Sequence, residues 1–396
     1  MKLLYLANAR IPTEKAHGLQ IMQNCEALAD NGAAVTLWAA RRVNTDAMNE
    51  IEDPWAHYGV KHNFDLWRVP CLDLQWLVGD DIAILRRGAF FLQIISYSFL
   101  MCLSLLFTRS DIYYSRDLLT VWLLTFLKPR HKVAYEPHRL SNSGIGRWLQ
   151  TMAVRRAGTI FPITATMAAI LIERGADPTQ VHTAHDGIRK ARFEHVPDQK
   201  TARREIGWPD EAFIVGYVGR LHTMSMDKGV STLIQAIAQL EGVSLGLVGG
   251  PEDMAEKLRR QWLASGLPEE RFLYAGQVKP EAVPHYLSAF DVCAMPHPYT
   301  DHYATATSPL KLFEYMASQR PIVASDLPGW ADVVVNGHSA LLVPPGDANA
   351  LAKAIKLLLD NPEMRVKLAT NAYARVMVDY TWDSRAKRNL DCLNER

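Results

Sequence analysis

Two cations stand at one turn in the second half of the chain. Gly219-Arg220 comes directly after the apolar run Phe213 to Val218, and Lys228-Gly229 stands with its lysine eight residues past the arginine, so that each cation is beside a glycine. Ligands of an open parallel sheet bind outside the carboxyl ends of its strands, where an Arg fork and a Lys point charge can clamp a diphosphate. The glycines allow close approach of backbone. A third contributor is Ser308-Pro309-Leu310-Lys311, which reads as a helix start with Ser308 at the N-cap and Pro309 in the first helical position. The amides of Leu310 and Lys311 would then face a bound anion, and Glu314, about one turn further in, could accept hydrogen bonds from neighbouring hydroxyls. Each feature also has a plain structural reading: a solvated strand-end arginine, and a capped surface helix with a Lys311–Glu314 pair.

The first half offers a matching edge. Ala16-His17-Gly18 precedes a helical stretch and would present backbone amides. His138 follows the strand-like run at 132, in Tyr135-Glu-Pro-His138, and would project from a strand end. A strand-to-helix loop and a structural histidine are the alternatives.

These residues need strand ends to carry them, and the pattern supplies them. Short apolar runs alternate with helical stretches throughout, which predicts an α/β protein of parallel strands joined by crossover helices. Lys2 to Ala7, Ala34 to Ala39, Asp111 to Ser115, Lys132 to Glu136 and Thr159 to Ile163 read as strands of a first Rossmann-like sheet, with a first crossover helix over Gln20 to Asn31. Phe213 to Val218, Val243 to Val248, Phe272 to Ala275, Asp291 to Met295, Pro321 to Ala324 and Ala340 to Val343 read as a second. A length of 396 residues exceeds what one core usually serves. The expected division is a first domain at 1–186, a connection at 187–205, a second domain at 206–379 and a terminal helix at 380–396.

Composition excludes several classes. With 43 basic and 42 acidic residues there is no global field to attract nucleic acid, so any anion site is local. Five scattered cysteines have neither zinc nor disulfide spacing, which fits a reducing, cytoplasmic setting. No Gly-x-Gly-x-x-Gly follows the first strand and no P-loop occurs, which removes dinucleotide oxidoreductases and P-loop ATPases; no spacing suggests a metal site. Residues 88–107 carry no formal charge and are flanked by Arg86, Arg87 and Arg109. Interrupted by Gln93, Ser96, Ser98 and Ser104, they predict a buried or membrane-touching helix rather than a span, with peripheral contact through 86–109.

With these parts assembled, the chain resembles the retaining GT-B glycosyltransferases of family 4, the group 1 type, over nearly its whole length. The resemblance rests on Pro12-Thr-Glu-Lys-Ala-His-Gly18, His185-Asp-Gly-Ile188, Gly219-Arg220 with Lys228-Gly229, Phe272-Leu-Tyr-Ala-Gly-Gln-Val278, Asp291-Val-Cys-Ala-Met-Pro296 and Ser308-Pro-Leu-Lys-Leu-Phe-Glu-Tyr-Met316. It implies two Rossmann-like domains facing a central cleft and transfer of a sugar from a nucleotide-diphosphate donor to a hydroxyl acceptor with retention of configuration. The acceptor class would be a glycan, a lipid-linked or a small molecule, in cell-surface glycan or glycolipid synthesis, with no cofactor and no metal.

By residue, the resemblance implies that Arg220 and Lys228 hold the diphosphate, the backbone of Leu310 and Lys311 completes the phosphate cradle, and Glu314 binds the ribose. Val278 would face the nucleobase, Gly18 would approach the phosphate, and His138 would contact the donor sugar. The helix from about Tyr380 looks like the one that crosses back to the first domain. Two departures stand out: Ala306 replaces the family's first motif glutamate, eight residues before Glu314, and the Arg220 to Lys228 stretch is longer than usual. Either Thr305, Thr307 or backbone amides take the sugar contact instead, or transfer is weakened. Two other readings fit the same clamp, a phosphorylase or epimerase of GT-B type and a non-catalytic sugar-nucleotide-binding subunit.

Overall fold

The structure, a computed structural model, describes residues 1–77, 83–223, 226–305 and 309–395. It divides into two units, 1–185 with 382–396, and 186–381. In the first, the strands are β1 (Lys2–Ala7), β2 (Ala34–Arg41), β3 (Asp65–Pro70), β4 (Ile112–Ser115), β5 (Val133–Tyr135) and β6 (Thr159–Ile160). Between them run α1 (Ala16–Asp30), the short α2 (Asp46–Asn49) and α3 (Pro54–Tyr58), α4 (Ala83–Phe107), α5 (Leu118–Leu127) and α6 (Gly144–Arg156), with α7 (Ala165–Glu173) after β6. All neighbours pair in parallel, in the order β3-β2-β1-β4-β5-β6.

That order fixes the layers. The steps β3 to β4, β4 to β5 and β5 to β6 all advance in one direction, so right-handed crossovers put α4, α5 and α6 on one face of the sheet and α1 on the other. Two expectations are corrected here. Helix α1 starts at Ala16, four residues before the expected Gln20, and ends at Asp30, with Asn31 as its C-cap and Gly32 at φ 91°. Strand β3 went unread, since Asp65-Leu-Trp-Arg-Val-Pro70 is a half-exposed edge strand and lacks the continuous apolar run of a buried one.

The second unit repeats the plan with α8 (Gln199–Ile206), β7 (Phe213–Val218), the small hairpin β8 (His222–Thr223) and β9 (Met226–Asp227), α9 (Val230–Ile237), β10 (Val243–Val248), α10 (Glu252–Ala264), β11 (Phe272–Gly276) and α11 (Val283–Ala289). It continues through β12 (Val292–Met295), α12 (Asp301–Thr305), α13 (Leu310–Ala317), β13 (Ile322–Ser325), β14 (Leu341–Val343), α14 (Ala348–Asp360) and α15 (Pro362–Asp379). Its six-stranded sheet has the order β11-β10-β7-β12-β13-β14, the same winding as the first, and apolar clusters fill both faces.

Residues 187–205, expected as a connection, are folded into this unit. Ile188 and Phe193 join its core and α8 packs on α11. Arg203 of α8 is buried and pairs with Asp291 at 2.7 Å, and the same carboxylate accepts the Ile214 amide. The sequence signal missed was helical: Asp198 caps α8 by accepting from Lys200 and Thr201, and Gly207 closes it at φ 73°.

Helix α16 (Trp382–Asn394) belongs to the first unit, where it packs on α1. Its Arg385 is fully buried, pairing with Glu136 at 2.8 Å and donating to Asn24 at 2.7 Å. Removing one partner of a buried ion pair strands the other charge out of water. Arg385→Met is therefore expected to destabilise the first unit by about 3 kcal/mol or more, with part of the loss recovered in Arg385→Met/Glu136→Gln, as measured by urea unfolding.

Candidate functional site

At the carboxyl end of β7 the backbone is bare. Gly219, at φ 125°, donates its N–H to the Val248 carbonyl at 2.8 Å, and a Cβ on the neighbouring Gly249, at φ 129°, would lie 2.1 Å from the Gly219 oxygen. Only glycine fits either place. These turns floor a cavity of about 420 Å³ lined by Arg220, Gly249, Gly250, Gln277 and Val278 among others. Arg220 is exposed at its rim, with its carbonyl accepting from the Tyr217 hydroxyl at 2.8 Å, and its guanidinium has no acidic partner among the described residues.

Two ammonium groups converge beside it. Lys311, the second residue of α13, lies with Nζ 3.6 Å from the centre of the Tyr217 ring, and a Cβ on Gly219 would sit 3.0 Å from its Cε. Lys228 places Nζ 4.4 Å from the ring centre of the buried Tyr303. Burial lowers Lys228 to about 8. Burial, aided by the charge of Lys228, pulls Lys311 well below the usual lysine value. His297 lies edge-on to Tyr303, and burial next to both lysines keeps it neutral. Gly229, which starts α9 at φ 81°, is fixed by the Pro296 carbonyl, which a Cβ there would meet at 1.7 Å.

One turn into α13 stands Glu314, its Oε1 3.4 Å from Arg192. Burial raises its carboxyl, while Arg192 and Lys311 oppose the rise. Arg192 also donates to the Pro280 carbonyl. The N-terminal cap of α13 differs from the expectation: Pro309, not Ser308, holds the N-cap position, and the helix begins at Leu310. The amides of Leu310 and Lys311 are the first-turn donors that such a helix leaves without internal acceptors. Ser308 lies outside the described residues, as do Ala306 and Thr307. Val278 lines the cavity.

In the first unit, a cavity of about 400 Å³ gathers Asn8, His17, Arg116, Asp117, His138 and Arg139 at the carboxyl ends of β1, β4 and β5. His138 Nε2 lies 2.6 Å from Glu136 Oε1. The other carboxylate oxygen receives Arg385, Asn24 at 3.1 Å and the Tyr114 hydroxyl, so the base of His138 is fully engaged. These contacts hold Glu136 ionised: burial raises its carboxyl, but Arg385 and His138 outweigh that. Gly18 does not present a free amide as expected. It lies buried in the first turn of α1, donates to the Lys15 carbonyl at 3.0 Å, and faces Thr13 and Tyr58 at 2.5 Å from a would-be Cβ. Its role is to let that turn pack, and His17 is the residue that reaches the cavity.

Sequence reasoning thus missed three contributors: the side chain of Lys311, Arg192 and Glu136. The last was findable, since residues 136 and 138 share one side of an extended segment. Among the described residues no group of three or more His, Cys, Asp and Glu is placed to hold a metal.

Residues 212–361, within the second unit, match the family model described as Glycosyl transferases group 1. Alpha-D-kanosaminyltransferase of Streptomyces kanamyceticus is 27% identical over 236 residues, 58% of each chain. D-inositol 3-phosphate glycosyltransferase of a Nocardioides species is 26% identical over 235 residues, 54% of this chain and 48% of that one. The chain spans about half the length of these curated relatives. In fold, the structure is similar to Anabaena HepE crystallised with UDP, at a TM-score of 0.72 and 19% identity with both chains fully covered. Two six-stranded parallel sheets and this likeness make the fold GT-B.

His17 offers a test of the first cavity. Burial together with Arg116, Lys15 and Arg10 lowers its pKa to about 4. The unfolded chain, with an ordinary histidine, then binds more protons between about 4 and 6.5, so stability is lost as pH falls through that window. His17→Gln is expected to remove this part of the acid sensitivity, and the His17 imidazole resonances should not titrate between neutrality and pH ~5.

Proposed function

We propose that this chain is a retaining glycosyltransferase that moves a sugar from a nucleoside-diphosphate donor to a hydroxyl acceptor. The observation that carries the reading is the pair Lys228 and Lys311, set on the faces of Tyr303 and Tyr217, with Lys311 beside Gly219 and Glu314 partly offsetting its charge. Cations withdrawn from water in this way favour an anion that comes close through bare backbone. A diphosphate is the anion we assign to Arg220, the two ammonium groups and the amides of Leu310 and Lys311. The UDP bound by the Anabaena structural neighbour supports the ligand class.

The reaction follows from where charge develops. The bond from the anomeric carbon to the diphosphate oxygen breaks, and its electron pair leaves with the phosphate, where the three cations and the first-turn amides meet the growing charge. The acceptor hydroxyl forms the new bond to carbon on the face the diphosphate vacates, and its proton passes to the departing phosphate oxygen. Configuration is then retained without an enzyme nucleophile, and no metal enters the reading because the cations supply the counter-charge. Glu314, steadied by Arg192, is assigned to the ribose hydroxyls and Val278 to the nucleobase. His138, oriented by Glu136, is assigned to the donor sugar.

A panel of UDP-, GDP- and ADP-sugars, followed by thermal shift and nucleotide release, tests the reading. One donor should stabilise the protein and release its nucleotide, and Arg220→Ala should lower that rate about 100-fold or more. Absence of binding across the panel would sink the proposal. A pH series gives a second check. The diphosphate favours charged Lys228, whereas the free protein begins to lose that proton near 8, so donor affinity should fall as pH rises through about 8. Calorimetry should find this dependence reduced in Lys228→Met.

A further inference from the structure

Helix α4 wears its apolar residues on the outside. Its inner stripe, Gln93, Tyr97, Met101 and Leu105 at four-residue steps, is buried, with Gln93 donating to Asn8 at 2.8 Å. The opposite stripe, Phe91, Ile95, Phe99, Leu103 and Leu106, is exposed, Phe99 at 67%. This reverses the usual arrangement, in which a helix on a sheet turns its polar side to water. Next to it on the same face, α5 and α6 continue the surface. Trp122 meets Trp148 at 6.4 Å, and Phe126, Ile145 and Trp148 are exposed.

The segment that builds this face is one-sided in charge, although Arg116 and Arg139 in it line the first cavity. From the start of α4 to the end of α6, residues 83–156 hold eleven Lys and Arg against three Asp and Glu, a surplus of eight in a chain whose total is +1. The three carboxylates are already engaged: Asp111 by the Lys2 amide, Asp117 by the Asn8 amide and Glu136 by Arg385. Arg87, Arg109, Arg147, Arg155 and Arg156 are exposed, and Arg156 lies 4.5 Å over the Phe126 ring. Exposed aromatics and aliphatics set among arginines are what an anionic bilayer surface binds, through apolar insertion and attraction to its headgroups.

We propose that the α4–α5–α6 face of the first unit docks the protein on an anionic lipid bilayer as a peripheral surface. Although α4 is long and apolar enough to cross a bilayer, its inner stripe is packed on the sheet, so it lies along the membrane. A second copy is disfavoured as the occupant, because two such faces would bring their positive surpluses together. The inference stands independently of the transfer chemistry.

Flotation of the full chain with vesicles supplies the test. Binding is expected to vesicles of phosphatidylcholine mixed with phosphatidylglycerol, to weaken at high salt, and to be far lower on phosphatidylcholine alone. Phe91→Ser/Ile95→Ser/Phe99→Ser and, separately, Arg87→Glu/Arg109→Glu/Arg147→Glu should each weaken it by about tenfold or more. Both should keep the thermal midpoint of the parent. Brominated lipid should quench tryptophan emission, and less so in Trp148→Phe. Equal binding to neutral vesicles, no binding, unchanged binding by both variants, or a dimer abolished by the apolar variant without vesicle binding would each overturn the proposal.

Discussion

Lys228 and Lys311 are withdrawn from water, and much of the second unit is arranged so that the fold can bear this. Burial of an ammonium costs free energy that only a charge, a dipole or a π face can offset. Tyr217 and Tyr303 supply π faces from β7 and α12, and Glu314 supplies charge, itself held back by Arg192. Gly219 and Gly249 remove side chains where the ammonium groups and two strand ends crowd together. The strain is local and points to one spot, the carboxyl edge of β7, which is where the winding of an α/β sheet opens a crevice.

The first unit has the same winding but solves a different problem. Its buried charge is negative, Glu136, and it is satisfied by Arg385, Asn24, Tyr114 and His138. A saturated network of this kind rigidifies what it holds. One unit thus keeps unspent positive charge, while the other spends its charge on fixing the direction of a histidine. The outward surface follows a third rule, since α4 has one side committed to the sheet and the other left to the surroundings.

Most of the strand plan was legible because buried parallel strands read as apolar runs, and Phe213–Val218 or Val243–Val248 are unmistakable in that sense. Edge strand β3 was not, because four of its six residues are exposed. Arg220, Lys228 and Glu314 could be read from spacing, since strand ends and helix starts announce themselves. Arg192 and Lys311 could not, because their roles depend on which way long side chains turn across segments distant in sequence. Gly18 misled for a related reason: a glycine at a helix start suggests open backbone, and only the tertiary neighbours Thr13 and Tyr58 reveal a packing glycine.

The pairing of Arg385 with Glu136 joins positions 249 residues apart in the chain, with the whole second unit between them. During synthesis the sheet of the first unit is made early, yet the cation that neutralises its buried carboxylate arrives only after the second unit has been made. Until then Glu136 must stay hydrated or protonated, which leaves the strand end carrying His138 unfinished. Vectorial assembly therefore runs out of step with the order of the units, and the first to emerge is the last to be completed.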